Sequence, residues 1–157
     1  MNIILLTHSR ELDKTSNTGT LVRSVLAERA RLVVWRRTQP DPWLLERIEQ
    51  GKVALLYPGK GSQPLAAATA YDSYILLDGT WQEARKMFNR SPYLQGLDKV
   101  AITSEKASIF QLRRNQTPGG LCTAESVIEL LMAQDEIVLA EQLQQKLQNF
   151  IEQHTNR

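Results

Sequence analysis

Tyr74-Ile75-Leu76-Leu77-Asp78-Gly79-Thr80-Trp81-Gln82-Glu83-Ala84-Arg85-Lys86-Met87 changes from strand-like to helix-like character within three residues. Tyr74 to Leu77 is short, continuously apolar and bounded by polar residues, which predicts a buried strand. Thr80 and Glu83 stand three apart, the spacing at which a threonine oxygen and a glutamate carboxylate satisfy free N–H groups of a helix's first turn. The spacing therefore predicts a helix from Trp81. Asp78 falls at the carboxyl end of the strand, at the edge where open α/β sheets take their ligands. On these residues alone the alternative stands beside it, because Asp-Gly is also a common turn and Trp81 could be a core aromatic.

The same alternation extends outward. Ile3–Leu6, Leu32–Trp35, Val53–Tyr57 and Lys99–Ile102 read as four more strands. Leu21, Val22, Val25 and Leu26 mark a helix face, with Asn17 or Thr18 as its cap, and Asp41-Pro42 opens a second helix that Gly51 ends. A helix from Leu121 to Leu131 follows a long polar loop, and a last helix from Asp135 to Phe150 carries Val138, Leu139, Leu143, Leu147 and Phe150 as its apolar face. Strands alternating with helices predict an α/β fold with a mainly parallel sheet and flanking helices. The 157 residues, 42% of them hydrophobic, suit a single domain over 1–157.

Composition excludes several classes of function. No apolar run is long enough to span a bilayer, and Met1–Leu6 is too short and lacks the basic start of a signal peptide, so a soluble cytoplasmic protein is expected. One cysteine, Cys122, rules out an internal disulfide and a Cys-rich zinc site, and no metal is expected. Pro58-Gly59-Lys60-Gly61-Ser62 lacks the spacing of a phosphate-binding loop, which removes nucleotide triphosphatases. Residues 1–124 hold 17 Lys and Arg against 11 Asp and Glu, whereas residues 125–157 hold 2 against 6. A basic body of this kind suits a phosphate-rich partner, though solvated faces of ordinary proteins are similar.

Asp78, Thr80 and Trp81, followed by Gln82-Glu83-Ala84-Arg85-Lys86-Met87, resemble the signature of the DTW-domain family, Asp-x-Thr/Ser-Trp. Further matches are Thr7-His8-Ser9-Arg10-Glu11, with Ser9 where proline is usual, and Ser16-Asn17-Thr18, Tyr57-Pro58, Arg113-Arg114 and Leu121-Cys122-Thr123-Ala124-Glu125. Many members carry a Cys-rich segment ahead of the first strand. This sequence starts at the strand, so any RNA contact of that segment is expected to come from elsewhere or to be missing. The resemblance implies a SPOUT-like fold whose C-terminal part threads into a trefoil knot around the donor.

It also implies a reaction, transfer of the 3-amino-3-carboxypropyl group from S-adenosylmethionine to a uridine ring nitrogen in tRNA, with methylthioadenosine released. The residues so implied as catalytic are Asp78, Thr80 and Trp81. Those implied around the donor are Thr7, Asn17, Thr18, Tyr57, Pro58, Gly59, Ile102, Thr103, Leu121, Cys122 and Thr123. Tyr57, Pro58, Ile102 and Leu121 suit an adenine slot, and Thr123 with its backbone suits a carboxylate. Asp78 suits either the donor's ammonium or the imide proton, and the two roles stay open. Arg36, Arg37, Arg85, Lys86, Arg113 and Arg114 are the expected RNA contacts, with Trp81 stacking on the extruded base. Two other readings are an RNA methyltransferase of the SPOUT superfamily and a non-catalytic RNA-binding module.

Overall fold

A computed structural model describes residues 1–58, 61–64, 71–102 and 122–155. Six strands, β1 (Asn2–Thr7), β2 (Ala30–Val34), β3 (Val53–Leu56), β4 (Gln63–Pro64), β5 (Ser73–Asp78) and β6 (Asp98–Ala101), form one sheet in the order β2-β1-β5-β3-β6-β4. Every pairing is parallel. Six helices are described: α1 (Gly19–Leu26), α2 (Pro42–Glu49), α3 (Trp81–Asn89), α4 (Pro92–Gln95), α5 (Thr123–Ala133) and α6 (Ile137–Thr155). Short 3-10 turns at Ser9–Glu11 and Ala27–Arg29 complete the connections.

Helices cover both faces, which is why the strands are apolar throughout rather than alternating. Ile3, Leu5, Tyr74 and Leu76 pack with Val22 of α1, Val127 and Leu130 of α5 and Leu143 and Leu147 of α6. Ile4, Leu6, Leu55 and Ile75 face the other way, onto Leu44 of α2, Met87 of α3 and Leu94 of α4. β5 therefore lies in the middle of the sheet, between β1 and β3, with its carboxyl end beside that of β1. Thr7 and Asp78 are paired in register, and the His8 N–H donates to the Asp78 carbonyl at 3.0 Å.

Gln63–Pro64, which the sequence pattern assigns to no element, forms a two-residue edge strand, so the strand read at Lys99–Ile102 is Asp98–Ala101 and is sixth in order, not fifth. Its proline is tolerated because no further strand lies outside it among the described residues. Val138, expected on the apolar face of the last helix, is 68% exposed. The buried stripe runs through Ala140, Leu143, Leu147 and Ile151, and Val138 sits two residues before Ala140, roughly 200° round the helix from it. That helix also begins at Ile137. Asp135 adopts φ 60° and closes α5 through Asp135 N–H to the Met132 carbonyl (3.1 Å) and Glu136 N–H to the Leu131 carbonyl (2.9 Å), which separates the two helices.

Candidate active site at the carboxyl ends of strands β1 and β5

The Asp78 side chain points into the protein, 3% exposed, rather than into an open crevice. Asn17 Nδ2 donates to its Oδ1 at 3.0 Å and its Oδ2 at 3.1 Å. Thr123 Oγ1 donates to Oδ1 at 2.9 Å. Thr7 Oγ1 lies 3.3 Å from Oδ2 and 3.1 Å from the Leu5 carbonyl. The carboxyl group thus joins the ends of β1 and β5 to the starts of α1 and α5. Burial pushes its pKa up, against the hydrogen bonds from Asn17 and Thr123, with nearby Glu11 adding to the rise and Thr7 opposing it.

Two further contacts lock the same helix starts. Asn17 Oδ1 accepts the Gly19 N–H at 2.8 Å, which both caps α1 and fixes the carboxamide so that Nδ2 must face Asp78. Thr18 Oγ1 accepts the Ala124 N–H at 3.0 Å, so the residue just before α1 supplies a cap to α5. The crowding excludes larger residues: a Cβ on Gly19 would sit 2.8 Å from Asn17 Oδ1 and 3.1 Å from Asp78 Oδ2.

The start of α3 is held separately. Thr80 Oγ1 accepts the Glu83 N–H at 3.2 Å, and Glu83 Oε1 accepts the Thr80 N–H at 2.8 Å, the expected capping box. Glu83 Oε2 lies 3.6 Å from His8 Nδ1, tying this turn to the loop after β1. His8 in turn stacks on Trp35 at 5.8 Å and accepts the Arg10 N–H at 3.1 Å. Trp81 is half-buried with its ring edge-on to Tyr57 at 5.7 Å, and Tyr57 contacts Phe88 at 4.4 Å. Burial raises the Tyr57 pKa while the Arg85 charge pulls it back, and Arg85 stands about one helix turn on from Trp81 in α3.

The fold therefore brings together Thr7, Asn17, Thr18, Asp78 and Thr123, and groups Tyr57 with Trp81. Pro58 is exposed and Ile102 half-buried, beyond the ends of the paired strands β3 and β6. Cys122 precedes α5 but is 2% exposed within the apolar core, its thiol pushed up to about 12 by burial. Arg36, Arg37, Arg85 and Lys86 are exposed. Gly59, Thr103, Leu121, Arg113 and Arg114 lie outside the described residues, as does the rest of the segment 103–121 that a knot would involve. Sequence reasoning did not single out Gly19 or Glu11. Glu11, 1% exposed and paired with Lys14 at 3.1 Å, closes the Thr7–Glu11 segment whose pattern was its only signal. Among the described residues there is no group of three His, Cys, Asp or Glu able to hold a metal, and no helix is long and apolar enough to cross a membrane.

With this geometry established, the comparison with known families is direct: residues 1–156 match the DTW domain. The chain belongs to the DTW-domain family. It is 30% identical over 141 residues to a Drosophila melanogaster protein named tRNA-uridine aminocarboxypropyltransferase 2. That match covers 82% of the present chain and 54% of the fly protein, so the chain spans about half the length of this curated relative. No solved structure matches the chain. In the DTW domain as seen here, the family aspartate, Asp78, is the buried centre of a hydrogen-bond network, and the family threonine, Thr80, is a helix cap.

Proposed function

We propose that this DTW-domain protein is a tRNA-uridine aminocarboxypropyltransferase, acting on a cytoplasmic tRNA with S-adenosylmethionine as group donor and a SPOUT-like knotted C-terminal half. In this reaction a uridine ring nitrogen loses its proton and gains an N–C bond. The donor's S–C bond breaks, its electron pair stays on sulfur, and methylthioadenosine leaves.

The observation that carries the reading is the Asp78 network, which fixes two helix starts and two strand ends in one place. Such preorganisation suits a transfer between two bound molecules, because a large part of the barrier reduction can come from holding the reacting atoms in line. The described residues fit the donor. Tyr57, Pro58 and Ile102 offer an apolar wall for adenine, and Thr123 at the start of α5 offers its N–H to a carboxylate, the Cys122 and Ala124 N–H groups being engaged by Glu125 and Thr18. Gly59, Thr103 and Leu121 would extend that wall.

Asp78 serves here by positioning. To bind an ammonium or take an imide proton it would have to release Thr123, Asn17 or Thr7, so Thr123 and Asn17 are the groups it presents. Trp81, backed by Tyr57, provides an aromatic surface for an extruded uracil, with Arg85 about one turn further along α3 for a phosphate.

The test is product analysis after incubation with tRNA and S-adenosylmethionine. Methylthioadenosine together with an aminocarboxypropyl-uridine in the digested tRNA is the expected result. S-adenosylhomocysteine and a methylated base would instead make the protein a methyltransferase, and neither product would leave an RNA-binding module.

A further inference from the structure

We propose that the cavity between the end of β2 and the start of α2 is a pocket for a guanine base of the RNA, recognised by Arg36 and Asp41. That the guanine belongs to a tRNA and lies near the target uridine rests on the function proposed above; the preference for guanine does not.

The cavity has a volume of about 330 Å3 and is lined by Val34, Arg36, Gln39, Pro40, Asp41 and Pro42. That volume is at the small end of the range for ligand pockets, which suits one base rather than an extended ligand. Both ends of the lining are anchored. Trp35, between Val34 and Arg36, is buried, with its N–H bonded to the Thr7 carbonyl at 2.9 Å and its Nε1 donating to Ser91 Oγ at 2.8 Å. Asp41 caps α2, its Oδ1 accepting the N–H of the buried Leu44 at 3.0 Å. The walls are thus in place before a ligand arrives, which lowers the cost of binding one.

The cavity also lies on the edge of the sheet that carries the candidate active site. Val34 is in register with Thr7, and Thr7 with Asp78. Two strand spacings of about 4.8 Å separate the end of β2 from that of β5, roughly 10 Å in all. An RNA strand lying along this edge passes both places, with exposed Arg37 available to its phosphates.

The polar groups select the base. Arg36 and Asp41 line one cavity with opposite charges, yet they do not pair: among the described residues Arg36 has no carboxylate within 4.0 Å. Among the same residues Asp41 Oδ2 receives no hydrogen bond, its partner oxygen alone being used in the cap. A matching ligand brings an acceptor to the guanidinium and donors to the carboxylate. Phosphate and carboxylate ligands are disfavoured inside by the like charge of Asp41. Of the four RNA bases, guanine alone sets two donors side by side, N1–H and the N2 amino group, next to an acceptor, O6. The two donors meet the carboxylate and O6 meets Arg36, while Pro40 and Pro42 supply apolar surface for the base. Adenine, cytosine and uracil each offer the carboxylate a single donor group on that edge.

The test uses the folded protein without donor or tRNA. The 5′-monophosphates of guanosine, adenosine, cytidine and uridine are titrated into 15N-labelled protein, and the backbone amide signals are followed. Guanosine monophosphate is expected to shift Arg36, Gln39 and Asp41 and to bind about tenfold more tightly than the others, the discrimination of one bidentate contact. This series needs no variant. Asp41→Asn keeps an acceptor for the Leu44 N–H, so α2 stays capped, but sets an amide donor against the N2 amino group of guanine. The variant should lose the preference for guanosine monophosphate and gain one for xanthosine monophosphate, which has a carbonyl in place of that amino group. Equal affinity of wild type for all four nucleotides, shifts confined to another part of the protein, or a guanosine preference that survives Asp41→Asn would overturn the pocket. A guanosine preference without any transfer product keeps the pocket and removes the transferase reading, and product without the preference does the reverse.

Discussion

Thr18 in the loop before α1 caps α5, its Oγ1 accepting the Ala124 N–H at 3.0 Å across 106 positions of sequence. Both residues are buried, Thr18 at 1% and Ala124 at 0%, so no water takes the place of the hydroxyl once it is removed. Thr18→Val keeps the shape and strands the amide. The expected cost is about 1–3 kcal/mol, the desolvation penalty of one unsatisfied buried group. Thr18→Ser should recover most of it. Urea titration of the three proteins checks this, and equal stability of Thr18→Val and wild type would show that α5 does not depend on the cap.

Glu83 and Asp78, five residues apart, have pKa values shifted in opposite directions. Burial acts to raise its pKa, but the Thr80 N–H, His8, Lys14 and the Thr80 hydroxyl together hold it below the usual value. A carboxylate with a depressed folded value contributes stability above its unfolded value, about 4.3, and loses it as the pH falls through the folded value. Glu83→Gln keeps an acceptor for the Thr80 N–H but removes the charge. Its melting temperature should approach that of wild type in acid and fall behind above about pH 4.3. Thr80→Ala removes the other half of the box and should cost about 1 kcal/mol at every pH.

These two carboxylates also mark the limit of sequence reading. The Thr80–Glu83 box was legible because its partners are three residues apart on one helix turn, and the strands were legible because a sheet covered on both faces demands unbroken apolar runs. The surroundings of Asp78 were not legible in the same way. Thr7, Asn17 and Thr123 come from positions separated by up to 116 residues, and only the strand order β1-β5 and the packing of α1 with α5 bring them together. Family resemblance named these residues without giving their arrangement, and the strand-end position alone set Asp78 toward a crevice when its side chain is enclosed. Gly19 escaped notice because its role, room for Asn17 and Asp78, is a distance and not a pattern. Val138 was misplaced because it adjoins Leu139, and neighbouring residues on a helix stand about 100° apart, which carries Val138 off the face that Leu139 shares with the core.

Cys122 should be chemically silent while the protein is folded. Its thiol is 2% exposed and held up to about 12 by burial, so at pH 8 almost none is the thiolate that alkylating reagents attack. Iodoacetamide labelling is expected to be negligible in buffer and complete in denaturant. Rapid labelling of the native protein would mean that α5 opens at its start, and would weaken the case for a rigid donor site there.

The exposed cations divide by their neighbours. Arg36, Arg37, Arg85 and Lys86 are exposed, and among the described residues none has a carboxylate within 4.0 Å. Charges without an internal partner are available to phosphates, and removing one cation that neutralises a phosphate should reduce the slope of log affinity against log salt by about one. Replacing Arg36 and Arg37 with alanine should therefore weaken tRNA binding and flatten its salt dependence while leaving S-adenosylmethionine affinity unchanged. Arg85→Ala should go further, since Arg85 lies about one helix turn on from Trp81, and should lower turnover as well as RNA affinity. The Arg113, Arg114 double alanine variant provides the comparison. If it weakens tRNA and spares the donor, the RNA contacts take in this pair as well as α3. If it abolishes donor binding instead, the pair belongs to the pocket, and the RNA must be held by the α3 side and the Arg36–Arg37 loop.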